Sequence, residues 1–365
     1  MALPTPATAA QACSRGRAEG TQATTNIPWE RQWLDLDRAW TIAGASAAVT
    51  VAVIDTGVDV RHPQLTRAVL PGVDFVDGGD GRVDCTGHGT AVASLIGARE
   101  DPNTPFAGVS PHARILPVRV AERIDDDMSV GVVARGVDWA VARGARILVM
   151  AYTLPTDHAA VRAAVARAVA HDVLVIASAG TVTGGAKSVP VPAGYPGVLG
   201  VSAVDGTGAV QSGAYPGSHV DIAGPGVDIT AGAPARGHTN YSGPDMAAAV
   251  TSGVAALVWA SDPDAAAGTV ARRLAATADP SPGGAGSPSY GAGIVNPVRA
   301  LSEPIASGEP RVPTGFMPAT AGTKEQGPAH GAVVGVVCAV AALVVTGLGV
   351  LRRARRRLEQ PRGNT

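Results

Sequence analysis

Short apolar runs and helical repeats take turns along the middle of the chain. Val49–Ile54, Arg114–Val120, Arg146–Ala151, Val173–Ser178 and Val198–Val204 each have the length of one strand and are dominated by Val, Ile, Leu and Ala. Between them, Ser129–Arg143 and His158–Ala170 carry Ala and Val on one helical face, with Arg135, Asp138, Arg143, Arg162 and Arg167 among the polar positions. Met246–Ala260 and Asp264–Ala276 read as two further helices. Strand and helix in alternation predict an α/β domain built on a mainly parallel sheet with helices on both faces.

The pattern changes near residue 303. Residues 303–330 turn to Pro, Gly, Ser and Thr, as a tether does. Residues 331–351 read GAVVGVVCAVAALVVTGLGVL, a run of 21 residues without a charge. A helix of that length reaches ~30 Å, the thickness of a bilayer's hydrocarbon core. RRARRR follows at once, so the tail over 352–365, with Arg352, Arg353, Arg355, Arg356 and Arg357, is expected on the cytoplasmic side. The expectation is a single-pass membrane protein whose N-terminal domain is extracytoplasmic. Residues 1–27 form an N-terminal extension to the body at 28–302. Its opening, MALPTPATAAQACSRG, resembles the tail of a signal peptide, with Ala10-Gln11-Ala12 as a cleavage site before Cys13. The true start is therefore expected upstream of Met1.

Composition narrows the partners. The 365 residues are 46% hydrophobic and 16% charged, with a formal net charge of −1, which gives no electrostatic basis for a nucleic-acid partner. Of the three cysteines, Cys338 lies in the apolar run. Cys13 and Cys85 are the remaining pair: a disulfide between extension and body if that part is outside the cytosol, or two unrelated thiols.

Two motifs carry candidate chemistry. VAVIDTGVD puts Asp55 at the C-terminal end of an apolar strand, where open parallel sheets place functional groups. DCTGHGTAVASLIGA puts His88 between glycines at a helix start. A buried carboxylate can hold an imidazole in the tautomer that takes a proton from a serine hydroxyl. These segments resemble the subtilisin-like (subtilase, S8) serine proteases over about residues 28–300. PWERQWLDLDRAW, DCTGHGT, GVSPHARILPVRV, AGYPGVLGVSAV, the tether and the C-terminal apolar run are similar to the mycosins, the membrane-anchored subtilases of type VII secretion. The resemblance implies a subtilisin-like three-layer fold and an Asp–His–Ser triad with an oxyanion-hole asparagine. It also implies a Cys13–Cys85 disulfide, and type VII secretion membrane components as partners.

Asp55 and His88 match the family pattern; the serine does not. Where the family reads GTS before a small-residue helix, this chain reads Gly243, Pro244, Asp245, Met246. IASAGTV places Thr181 at the oxyanion asparagine, and Val149-Met150-Ala151 stands for an Asn-Met-Ser pattern. A carboxylate is a poor nucleophile toward an amide, and the acyl product would be a mixed anhydride. Asp245 is expected either to cap the helix that follows it or to pair with a protonated His88. Two carboxylates and an imidazole could bind a divalent metal, but around one imidazolium they are already electrically sensible, so neither metal nor cofactor is expected. Ser252 falls inside the helix and Ser242, ahead of the turning glycine, is a weak rescue candidate for the nucleophile; the remaining histidines are expected on the surface or in loops. The reading is a catalytically deficient scaffold or cap; the alternatives are an active serine endopeptidase and a non-cleaving module that holds a peptide in the old substrate cleft.

Overall fold

The structure is a computed structural model that describes residues 20–44, 47–124, 128–154, 156–182 and 189–305. In chain order its elements are α1 (Trp29–Trp33), α2 (Leu36–Ala43), β1 (Thr50–Asp55), β2 (Val73–Asp74), α3 (His88–Gly97), β3 (Arg114–Arg119), α4 (Val130–Ala142) and β4 (Ile147–Met150). There follow α5 (Ala159–Ala170), β5 (Leu174–Ser178), β6 (Val198–Val204), β7 (Ile222–Pro225), β8 (Ile229–Gly232), β9 (His238–Tyr241), α6 (Pro244–Ser261), α7 (Ala267–Ala276) and α8 (Pro297–Ser302). The five strands expected from the sequence form within one residue of their expected bounds at each end.

Seven strands make one sheet in the order β2-β3-β1-β4-β5-β6-β7, with every pairing parallel. Alternate residues of each strand face opposite sides. Val51, Val53, Ile147, Val149, Leu174 and Ile176 pack toward α3 and α6, whereas Ala52, Ile54, Leu148, Met150 and Val175 pack toward α4 and α5. A sheet covered on both faces needs apolar residues at every position, which is why its central strands read as unbroken apolar runs. The buried helix α6 runs beneath β4, β5, β6 and β7. Sixteen of its 18 residues are buried, mostly Ala and Val, so its backbone can approach the sheet closely.

Four strands were not expected. β2 has two residues, β7 contains Gly224 and Pro225, and β8 and β9 form a separate antiparallel pair. Of the histidines expected on the surface or in loops, His62 and His219 do lie in loops and His238 opens β9, but all three are buried, at 1%, 3% and 8% exposure. Each has a partner: His62 Nε2 meets Gly237 O at 2.9 Å, His219 Nε2 meets Ala179 O at 3.1 Å, and His238 Nε2 meets Gln64 Oε1 at 2.9 Å. His238 Nδ1 accepts Thr24 N–H at 3.1 Å, which helps dock residues 20–26 onto β9. Burial, reinforced by His62 alongside, pushes His238 down to about 4.

Glu30 of α1 is 5% exposed, with Oε1 accepting Thr230 N–H at 3.2 Å and Oε2 without a partner. Burial pushes its carboxyl up to about 8. A carboxyl raised in the folded state favours folding below its unfolded value and loses that advantage as pH rises through the folded one. Glu30→Gln is therefore expected to match the parent near pH 5 and to exceed it increasingly up to pH 8.5, by on the order of a few kcal/mol. Thermal unfolding at the two pH values measures this.

Cys85 is buried, and its Sγ lies 3.6 Å from Nη2 of Arg119, a buried cation that also bonds Asp74 and Asp77. Cys13, residues 331–351 and the basic tail lie outside the described residues, as do all but the first three residues of the tether. Among the described residues, no helix is long and apolar enough to cross a membrane.

Candidate active site

Parallel strands deliver their C-terminal ends to one edge of the sheet, and the site is assembled there. Asp55 is the last residue of β1, fully buried, and accepts Thr56 N–H at 2.7 Å. His88 is the first residue of α3. Its Nδ1 lies 2.8 and 3.0 Å from the two Asp55 oxygens. Its Nε2 lies 3.0 Å from Asp245 Oδ2, near the start of α6. The three residues singled out at distant points of the sequence thus form one continuous hydrogen-bonded array. Exposure grades outward along it: 0% for the Asp55 side chain, 20% for His88 and 27% for Asp245.

Asp245 does not cap α6. The cap position is Gly243, Pro244 is the first helical residue, and no side chain caps the N-terminus. Proline at the first position needs no N–H partner, which leaves the Asp245 carboxylate free to turn toward His88. Gly243 makes room for it: a β-carbon there would lie 1.7 Å from Asp245 Oδ1. The close pass of β1 and α3 has a similar requirement, since a β-carbon on Gly89 would lie 2.1 Å from Gly57 O and 3.1 Å from Asp55 Oδ1.

Asp84 is a structural determinant that sequence reasoning missed. It is fully buried and accepts Thr86 N–H, Gly87 N–H and Thr90 N–H at 3.1, 2.8 and 2.8 Å. It also bonds the Thr90 and Thr56 hydroxyls at 2.7 and 3.0 Å. Thr56 Oγ1 accepts Gly89 N–H at 3.0 Å. Asp84 and Thr56 together accept the Gly87, Gly89 and Thr90 amides around the start of α3 and hold His88 over Asp55. The available signal was an acidic residue just ahead of the Gly-His-Gly helix start.

The electrostatics favour a charged imidazole. Burial works against the imidazolium, but the Asp55 charge and hydrogen bonds to Asp245 and Asp55 outweigh it and hold His88 well above its usual range. The stabilisation this gives is complete below the ordinary histidine value and is lost as pH rises through the folded one. Asp245→Asn removes one anion from the array and is expected to bring the His88 titration down toward the ordinary range. Histidine Cε1–H chemical shifts followed against pH in parent and variant measure this.

Thr181 lies beyond the C-terminal end of β5, joined to Ala214 by an isolated bridge. Among the described residues, no hydrogen bond links it to Asp55, His88 or Asp245. The alternative serines are engaged elsewhere: Ser242 Oγ accepts Asp228 N–H at 2.8 Å, and Ser252 Oγ donates to Ala248 O at 2.7 Å.

Comparison with known proteins gives consistent matches. The profile of the Subtilase family matches residues 46–293. Mycosin-4 of Mycobacterium tuberculosis is 31% identical, over 97% of this chain and 88% of that protein. A thermophilic serine proteinase of Bacillus sp. is 34% identical over 61% of this chain, which spans only 55% of that protein. Among solved structures, the MycP3 protease from the type VII (ESX-3) secretion system is 32% identical with a TM-score of 0.67, covering 79% of this chain and 91% of that one. With this match across most of the described body, and with Asp55 and His88 paired at the sheet edge, the chain belongs to the subtilase family.

Proposed function

We propose that this protein is a mycosin-like, membrane-anchored component of a type VII secretion apparatus that has given up proteolysis and serves as a scaffold or cap. The observation that carries this reading is the carboxylate of Asp245 bonded to His88 Nε2, where a serine protease needs a hydroxyl. Thr181 at the oxyanion position supports it independently, because the donor needed for the tetrahedral oxyanion is replaced together with the group that would create it. The fold persists, as a docked component requires. The secretion partner rests on likeness to proteins such as MycP1, described as an essential component of the type VII (ESX-1) secretion system.

Anchoring by residues 331–351 and a Cys13–Cys85 disulfide between extension and body complete the proposal. Peptide mapping under non-reducing conditions tests the disulfide. Affinity purification of the full chain from detergent-solubilised membranes tests the partner: secretion membrane components are expected to co-purify equally with parent and Asp245→Asn. Recovery of the chain alone, or dependence of the complex on Asp245, contradicts the scaffold reading.

A further inference from the structure

We propose that the Asp55–His88–Asp245 array hydrolyses small terminal epoxides, with Asp245 as a carboxylate nucleophile that becomes transiently esterified. This goes beyond the loss of proteolysis proposed above. Asp245 fails against an amide because expelling an amine would leave a mixed anhydride. Attack on an sp3 carbon has no such obstacle: the product is an ordinary alkyl ester, and relief of ring strain drives the opening. A carboxylate beside an oriented imidazole is a recognised arrangement for covalent catalysis.

The geometry assigns the roles. Asp245 Oδ2 is held by His88 Nε2 at 3.0 Å, while Oδ1 sits in the space left by the side-chain-free Gly243. Asp245 and His88 are partly exposed and within reach of a small molecule, whereas Asp55 is sealed behind the imidazole and cannot be alkylated. In the first step Oδ1 attacks the terminal epoxide carbon, the ring C–O bond breaks, and the ring oxygen takes the Nε2 proton of the His88 imidazolium. Asp245 is now a hydroxyalkyl ester and His88 is neutral. In the second step His88 Nε2 takes a proton from water as its oxygen attacks the Asp245 acyl carbon. The tetrahedral adduct, close to the positive end of the 18-residue helix α6, expels the alkoxide, which takes the proton of the new carboxyl group. The sum is epoxide plus water to diol, with Asp245 ionised and His88 an imidazolium again.

Two features fit this cycle. Carboxylates at 2.8 and 3.0 Å from the two ring nitrogens favour the imidazolium, which a ring opening needs and a serine protease's base cannot use. Esterification then removes the Asp245 charge, so His88 keeps only Asp55 as an anionic partner and is less strongly held in the protonated form when water must be activated. An epoxide is favoured over an alkyl halide because its leaving oxygen needs this proton.

The test uses the purified full chain and 1,2-epoxy-3-(4-nitrophenoxy)propane. Diol formation above the level of Asp245→Asn is expected. A single turnover in 18O-labelled water is expected to place the label in the Asp245 carboxylate, a readout that needs no variant. His88→Gln, which lacks both the acid for ring opening and the base for ester hydrolysis, is expected to form diol at least tenfold more slowly. Diol formation no faster than in Asp245→Asn, with no label in Asp245, overturns the proposal, as does adduct formation spread over exposed carboxylates such as Asp37 and Asp77. Either failure leaves the loss of proteolysis standing, because that reading is judged by fluorophosphonate labelling.

Discussion

Asp245→Ser combined with Thr181→Asn is expected to turn this protein into a serine hydrolase that labels with a fluorophosphonate and cleaves unfolded casein. The Asp55–His88 pair is already at 2.8 Å, so orientation and general base are in place. Serine is shorter than aspartate, and its Oγ falls near the Asp245 carboxyl carbon, from which a small rotation at the start of α6 reaches His88 Nε2. In subtilisin itself, loss of the nucleophile costs about 10⁶ in turnover, and that enzyme's value sets the scale here. Loss of one oxyanion donor costs about 10²–10³. The double variant is therefore expected to exceed the parent by several orders of magnitude, and Asp245→Ser alone to label about 10²–10³ more slowly than the double variant. Because such residues act as a unit, Thr181→Asn alone is expected to change nothing. Removing an anion from His88 also brings its titration down, so the double variant is expected to gain activity as pH rises and the imidazole becomes neutral.

Asp84→Ala is expected to be the most damaging single substitution around the site. It leaves the Thr86, Gly87 and Thr90 amides without their acceptor in a buried position. It also frees Thr56, whose hydroxyl supports Gly89. Uncompensated buried polar groups cost about 1–3 kcal/mol each, and these share one neighbourhood, so a total on the order of 3–5 kcal/mol is expected. This is a large part of the stability of a typical domain. A melting temperature about 10 °C below the parent is expected by calorimetry. Asp84→Asn keeps one acceptor oxygen but turns an NH₂ group toward donors, and is expected to fall between the two. A melting temperature unchanged by Asp84→Ala would show that Asp84 does not hold α3 in place.

The parts legible in the sequence were those where burial or chemistry left a local signal. Central strands covered on both faces are almost wholly apolar between their ends, and α6 announces itself by a long run of Ala and Val. Asp55 and His88 were legible because each lies where its element ends or begins. β2 was not, since two residues in an Asp- and Gly-rich loop leave no periodicity. Nor were β8 and β9, which carry Thr230, Thr239 and Asn240 because one side faces solvent. His62 and His238 are buried through partners on β9, on its flanking turn and in the loop at Gln64, all remote in sequence. Asp245 was half legible. Its pairing with His88 follows from position, but the competing role as a helix cap loses because Pro244 starts the helix and the carboxylate has a charged partner within 3.0 Å.

The central claim is that the chain retains a subtilase body without serine-protease chemistry, and reaction of the unmodified full-length protein with a fluorophosphonate probe tests it most directly. No covalent adduct on any serine is expected, with the Asp245→Ser, Thr181→Asn variant labelled under the same conditions. Stoichiometric labelling of a serine in the unmodified protein would contradict it.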